Sequence, residues 1–270
     1  VMGATGSGKT TFINLTSGSN MRIGRGLQSC TNIVQVSTPF VLDGRLVTLI
    51  DTPGFDDTTK SDTEILRMIA LYLQTTYENG KKLAGVLYFH RISDVRVGGI
   101  SRRNFKMFRE LCGDTTLKNV AIITNMWGEV DEDLGAAREE ELVSKDIFFK
   151  PAIEKGARVF RHANTLKSAQ RILRTVIANT PLALRIQREL VDQGKDISQT
   201  AAGIELNKEL LEQAEKHRKE LLGLQDEMKG MLHFSIGSPG ELNHLQRQSR
   251  QRTKKPGKNL RLRPGSFKQR

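Results

Sequence analysis

The sequence predicts a three-layer α/β fold with a mostly parallel sheet, and three observations predict it. Gly3-Ala4-Thr5-Gly6-Ser7-Gly8-Lys9-Thr10 fits G-x-x-x-x-G-K-[ST] in full, the loop (P-loop) that joins a buried strand to a helix around phosphate groups. An apolar strand, Leu46–Ile50, ends on Asp51-Thr52-Pro53-Gly54. Short apolar runs then alternate with amphipathic helical patterns, which argues for parallel strands covered by helices on both faces.

Each element has its own signal. Thr11–Ser17 continues the phosphate loop as a helix, and Ser19–Cys30, rich in Gly, Arg and Ser without an apolar period, reads as a flexible loop. Ile33–Leu42 alternates and meets Asp43-Gly44, a two-residue hairpin turn from which Arg45–Ile50 returns as an antiparallel edge. Asp62–Tyr77 places Ile65, Met68, Ile69 and Leu73 at helical spacing after an Asp- and Thr-rich start. Leu83–His90 and Asn119–Thr124 have the length of buried strands, with a helix over Arg102–Leu111 between them that stops at Gly113. A helix over Glu139–Lys155, a strand over Ala157–His162 and a helix over Leu166–Asn179 complete the alternation before Pro181. The acidic runs Asp131-Glu132-Asp133 and Glu139–Glu141 read as helix starts or solvated faces.

Beyond Pro181 the strand signal is lost. Positions 210, 214, 217, 221, 224, 228 and 231 step by four and three, and all but His217 are Leu, Ala or Met, a coiled-coil seam about three heptads long. The expected organisation is a nucleotide domain over 1–180, a helical, short coiled-coil extension over 181–233, and a disordered basic tail over 234–270. That extension either folds against its own domain or dimerises.

Charge supports this division. The formal net charge is +12, and Arg247–Arg270 alone holds ten Lys or Arg and no acid, which leaves about +2 for everything else. Such a tail can meet an anionic membrane or nucleic acid through charge, but Phe267 is its one aromatic, which argues against base stacking. No apolar run approaches the ~18 to 20 residues needed to cross a bilayer. Cys30 and Cys112 lack metal-ligand spacing and suit a reducing compartment, so the protein reads as cytoplasmic, with a membrane-peripheral position open through the tail. The phosphate loop begins at the third residue and only Val1-Met2 precedes it, so the sequence is expected to be a piece of a longer chain.

The chemistry follows from the phosphate loop. Gly3, Thr5, Gly6, Ser7 and Gly8 turn backbone N–H groups into one concavity, and the following helix, starting near Thr11, adds its positive end. Lys9 is expected to reach the β and γ phosphates, and the Thr10 hydroxyl to coordinate Mg²⁺. Asp51, at the end of a strand, can hold a metal-bound water, and the Gly54 N–H can meet a γ-phosphate and register its loss. Thr31 lies in the loop between and is the expected third oxygen of the Mg²⁺ site, with Thr52, Thr38 and Ser29 as nearby rivals.

These residues in this order carry a resemblance. Gly3–Thr10, Thr31 within Gln28-Ser29-Cys30-Thr31, Asp51–Phe55 and the strand Val120–Trp127 running into Thr-Asn-Met-Trp resemble the septin-like branch of GTPases. That branch includes immunity-associated GTPases and chloroplast-envelope translocon receptors, and the chain looks closest to G-domain proteins common in fungi. Over about Val1 to Thr180 the resemblance implies a G domain that binds GTP or GDP with Mg²⁺, hydrolyses GTP, and dimerises across its nucleotide face.

The chain departs from that pattern in two places. GTPases usually read guanine with [N/T]-K-x-D, whereas Asn125-Met126-Trp127-Gly128 keeps only the Asn, with Glu129 one residue late. Trp127 either covers the base or fills the core, and His162 and Asn164 lie where such folds close over the base. The water-orienting Gln that small GTPases carry just after D-x-x-G is replaced by Phe55. Slow intrinsic turnover is expected, raised by a dimer or a partner, with Arg22 and Arg25 either fingers or solvated loop charges. His90-Arg91 and Asp94-Val95-Arg96 follow a strand and are placed on the nucleotide-facing edge or in a loop of local ion pairs. Two other readings stand beside the GTPase: an ATP-using P-loop enzyme or a nucleoside-triphosphatase of relaxed base specificity, and a basic-tail binding module.

Overall fold

In the computed structural model, residues 1–23, 33–57, 59–95 and 97–235 are described, with side chains through 228 apart from 209, 210 and 213. A four-stranded parallel sheet runs in the order β1 (Met2–Gly3), β6 (Val86–Arg91), β7 (Val120–Asn125), β8 (Arg158–Arg161). On the outer side of β1 lie β2 (Gln35–Val36) paired with β5 (Ile50–Asp51), and β3 (Phe40–Leu42) paired with β4 (Arg45–Val47), both antiparallel. The Val1 amine donates to the Ile50 carbonyl, and Ala4 bridges Phe55 in parallel, so the segment 50–55 is tied to the chain on either end of β1.

The sheet sorts its side chains by the period of two. Leu87, Phe89, Ala121 and Ile123 face one layer, packed with Phe12 and Ile13 of α1 (Lys9–Ser17) and Ile172, Leu173 and Val176 of α6 (Leu166–Ile177). Val86, Tyr88, Val120 and Ile122 face the other layer, with α2 (Asp62–Glu78) and α3 (Gly99–Cys112). Both faces of β6 and β7 are therefore buried, which is why those strands read as continuous apolar runs.

Local chemistry fixes the helix starts. Ser61 and Glu64 form a reciprocal capping box at α2, so Glu64 accepts two bonds from Ser61 and its carboxyl is held below the ordinary value. Asp131 caps α4 (Glu132–Ser144), accepting from the Asp133 and Leu134 amides, as the acidic run there predicts. Glu139 turns inward instead, accepting from Arg161 and from the Thr124 hydroxyl.

Two expected elements are divided. Ile33–Leu42 is interrupted between β2 and β3, where Ser37 bonds Leu49 through both its amide and its hydroxyl and Pro39 has no N–H to give a ladder. The helix expected over Glu139–Lys155 is two, α4 and α5 (Lys150–Ile153). Phe149 drops between them into the core, edge-on to Phe105 at 4.6 Å between centroids, and Pro151 starts the second helix.

The chain after Pro181 contributes to the same core. Leu184, Ile186, Leu190, Ala202 and Leu206 are buried with α2 and α3, through α7 (Arg185–Gln187), a π turn over Arg188–Asp192, and the start of α8 (Ala201–Ser235). By its contacts the first compact unit covers Val1–Leu211 and the second begins at Glu212. Along α8 in that second unit Leu221, Leu224 and Met228 are exposed, at 61%, 58% and 62%. The expected tail lies almost wholly outside the described residues.

Candidate functional site

The phosphate loop sits at the C-terminal ends of β1 and β6, and its glycines are there for space. Gly3 has φ 137°, and a Cβ on it would stand 2.4 Å from the Phe89 carbonyl oxygen, so β1 and β6 close up only around glycine. Gly54 has no positive φ, yet its Cβ would meet the Thr5 amide nitrogen at 2.5 Å. The loop after Asp51 is thus in backbone contact with the phosphate loop. Phe55 follows fully buried, its carbonyl accepting from Thr5 N–H at 2.9 Å and its N–H reaching the Gly3 carbonyl at 3.3 Å.

Lys9 Nζ folds across this loop and donates to the carbonyls of Gly3 at 3.1 Å and Ala4 at 2.8 Å. Burial pushes its pKa down to about 8; Asp51 opposes that shift and the Arg91 cation adds to it. Thr10 Oγ1 donates to Asp51 Oδ2 at 2.7 Å, and Asp51 Oδ1 is buried with no hydrogen-bond partner. The hydroxyls of Thr5 and Ser7 are likewise buried and unpartnered at the loop. Such polar atoms are costly to bury alone, so their clustering marks a place built for a ligand.

The donor set fits Mg²⁺: one carboxylate and one hydroxyl, hard oxygens beside a phosphate cradle, with the rest of the shell left to phosphate and water. Among the described residues no group of three or more His, Cys, Asp or Glu is placed to hold a metal, so a cage of protein ligands is not what this site offers. Thr31, the expected third oxygen, lies outside the described residues, as do Ser29 and Arg25. Of its rivals, Thr52 is engaged, its hydroxyl donating to the Val1 carbonyl at 2.9 Å, and Thr38 is exposed with its amide on Ser19 Oγ. Arg22 is exposed.

A cleft of about 690 Å³ opens beside the loop and is lined by Asn125, Trp127, His162 and Asn164 together, the four residues expected near the base. Asn125 Nδ2 donates to the Ser7 carbonyl at 2.9 Å, tying this cleft to the phosphate loop. Met126 in the left-handed region (φ 64°) turns the chain out of β7 into a short helical turn, Trp127–Glu129. Trp127 is partly buried and lines the cleft as well: Nε1 donates to the Thr124 carbonyl at 3.1 Å and Gly135 of α4 abuts the ring, while the Arg161 guanidinium lies over it at 4.2 Å. His162 is chiefly a packing residue, edge-on to Phe12 at 5.1 Å with Nδ1 at 2.8 Å from Ser168 Oγ, and burial lowers its pKa. Asn164 sits at the cleft rim with φ 54°. Thr11 lies in the first turn of α1.

Arg91 is a residue whose position the sequence indicated only loosely. The parallel register Gly3↔Phe89 puts it one step past the loop, where its guanidinium nitrogen would lie 3.3 Å from a Cβ on Gly6. It also pairs with Asp94 at 2.9 Å, the local ion pair that the sequence allowed. The signal available was the apolar strand ending on a cation, legible only once the strand order is known.

Residues 1–109 match the family model of the 50S ribosome-binding GTPases. Among solved structures, Toc33 from Arabidopsis thaliana in complex with GDP and Mg²⁺ is 14% identical with a TM-score of 0.52, covering 68% of this chain and 85% of its own. A structure of the chloroplast translocon components atToc33 and psToc159, for whose GTPase activity dimerization is important, is 14% identical with a TM-score of 0.54, over 68% of this chain and 83% of its own. No curated protein matches the chain by sequence. The fold is that of a P-loop G domain.

Proposed function

We propose that this chain is a GTP-binding protein that hydrolyses GTP to GDP and phosphate, acting as a slow switch. The observation that carries this is the meeting of three segments at one point: the glycine loop over Lys9, the Thr10–Asp51 pair with its unpartnered carboxylate oxygen, and Gly54 in contact with Thr5. In this reading backbone amides of Gly3–Thr10 hold the phosphates, and Lys9 leaves the Gly3 and Ala4 carbonyls to pair with the β and γ oxygens. Thr10 and Asp51 are the residues that would hold Mg²⁺, with Thr31 as third, and a cation held there would supply neutralisation of charge developing on the phosphates. Gly54 reports the γ-phosphate, because a group arriving at that amide displaces a backbone already touching the loop. Thr11, Asn125, Trp127, His162 and Asn164 complete the nucleotide contacts, the last four lining the cleft beside the loop.

Slow turnover follows from Phe55. A fully buried phenyl, on a residue whose backbone is bonded to Gly3 and Thr5, has no polar group with which to orient an attacking water. A homodimer across the nucleotide face, or through the exposed apolar positions of α8, is the arrangement that would raise the rate. Among the described residues no helix is long and apolar enough to cross a membrane. The basic tail gives a salt-sensitive hold on anionic surfaces.

Gly128, exposed and without a side chain where a base-reading Asp would stand, favours a second reading: a triphosphatase that accepts ATP as well. Calorimetric titration of GTP with Mg²⁺ into wild-type and Lys9→Ala protein tests the primary one. Loss of binding in the variant is expected, and equal affinity would sink the phosphate-loop assignment.

A further inference from the structure

The cleft beside the phosphate loop has no acid at the usual position, yet it is not without carboxylates. Glu129 and Glu132 both line it. Glu129 belongs to the turn that also carries Trp127 and follows Asn125, and its amide donates to the Met126 carbonyl at 3.1 Å, which fixes the turn. Its carboxylate is held from the other side: Ser93, in the loop after β6, donates from Oγ to Glu129 Oε2 at 3.1 Å. Glu132 lies instead in the first turn of α4, where it shares the helix start with Asp131 and Asp133.

We infer that Glu129 supplies the guanine-reading carboxylate of this site, one residue later than the usual Asp, with Ser93 as its positioning residue. The inference rests on the nucleotide reading given above and deepens it. Guanine offers N1–H and a 2-amino group on one edge, two donors that a single carboxylate accepts side by side. Adenine places an N1 lone pair there, which a carboxylate repels. A carboxylate carried one residue later has further to reach, and the extra methylene of Glu over Asp supplies that length on a short helical turn whose Glu129 lines the cleft. Asn125 meanwhile spends its Nδ2 on the Ser7 carbonyl and carries no carboxylate, so an acceptor for both guanine N–H groups has to come from a neighbour.

Direct calorimetry with GDP, IDP, XDP and ADP, each with Mg²⁺, on wild-type, Glu129→Gln and Glu132→Gln protein tests this. Wild type is expected to bind GDP about tenfold or more tighter than IDP, which lacks the 2-amino group, and tighter still than ADP. In Glu129→Gln the amide offers one acceptor and one donor, so GDP should weaken by about tenfold or more while XDP, with a carbonyl in place of the 2-amino group, becomes the better ligand. Glu132→Gln should keep the wild-type order. Because Glu129 is exposed, its variant should melt at the wild-type temperature, which separates lost recognition from lost fold. If wild type prefers GDP but Glu129→Gln leaves the GDP to XDP ratio unchanged, or if Glu132→Gln produces the switch, the assignment to Glu129 is overturned and the guanine-binding function stands. If wild type binds GDP and ADP equally, guanine selectivity itself fails and this inference with it.

Discussion

Thr10 donates its hydroxyl to Asp51 Oδ2 at 2.7 Å, joining the start of α1 to the end of β5, while the other oxygen of that carboxylate is buried without a partner. A buried carboxylate half satisfied in this way is costly without a cation and useful with one. Asp51→Asn should therefore fold at least as stably as wild type in the absence of nucleotide, yet lose Mg²⁺-dependent GTP affinity by tenfold or more. Thermal melts with and without MgGTP check both halves, and a wild-type MgGTP shift in the variant would remove Asp51 from the metal site.

Lys9 carries the second cost. Its pKa falls from 10.5 in the unfolded chain to about 8, chiefly by burial, so between those values the unfolded state binds more protons and stability rises with pH. The penalty is complete below about 8 and is gone above 10.5, and a shift of this size corresponds to about 3 kcal/mol. Nucleotide-free Lys9→Met should thus be the more stable protein at neutral pH, with its advantage shrinking as pH rises through that window. Urea unfolding at three pH values, both proteins in parallel, gives the answer.

Gly54 is closed to any side chain by the Thr5 backbone at 2.5 Å. Gly54→Ala must push the two loops apart, and we expect a large loss of GTP affinity with a stability cost of about 1–3 kcal/mol. Retained binding would mean that the Asp51–Gly54 loop is free to move away from the phosphates.

Asp62 binds the loop after Gly54 to α3. It accepts from the Asp56 amide at 2.9 Å and forms a buried ion pair with Arg103. Removing one partner strands the other, so Asp62→Asn should destabilise by about 3–5 kcal/mol, and the double variant with Arg103→Met should recover part of that. Strict additivity in a double-mutant cycle would show that the pair is not coupled.

Leu221 and Leu224 are exposed on α8 at the spacing that a helical partner reads. If the second copy of this chain is that partner, Leu221→Glu with Leu224→Glu should abolish any dimer seen by sedimentation and make specific GTPase activity independent of protein concentration. A wild-type protein whose specific activity is already constant across concentration would argue against this account of turnover.

What the sequence disclosed and what it withheld have physical causes. The phosphate loop, Asp51 and Gly54 were legible because a glycine cradle, a cation and a strand-end acid are local patterns, and the fold brings them together as that pattern requires. The buried strands β6 and β7 were legible as apolar runs. The break between Ser144 and Lys150 was hidden because Phe149 leaves a helical pattern to pack against Tyr88 and Phe105, a tertiary demand. Arg91 could be placed only between two alternatives and Ser93 was hidden, because their approach to Gly6 and Glu129 depends on strand order, which no local window contains. Trp127 resisted a single reading because its ring meets a core helix and the cleft at once.

The most direct test is phosphate release from GTP and from ATP by wild-type and Lys9→Ala protein, with Mg²⁺ and with chelator. The account predicts slow, Mg²⁺-dependent release from GTP, little from ATP, and none from either in the variant. Equal release from ATP would replace it with a triphosphatase of relaxed specificity, and GTP hydrolysis that survives Lys9→Ala would contradict it outright.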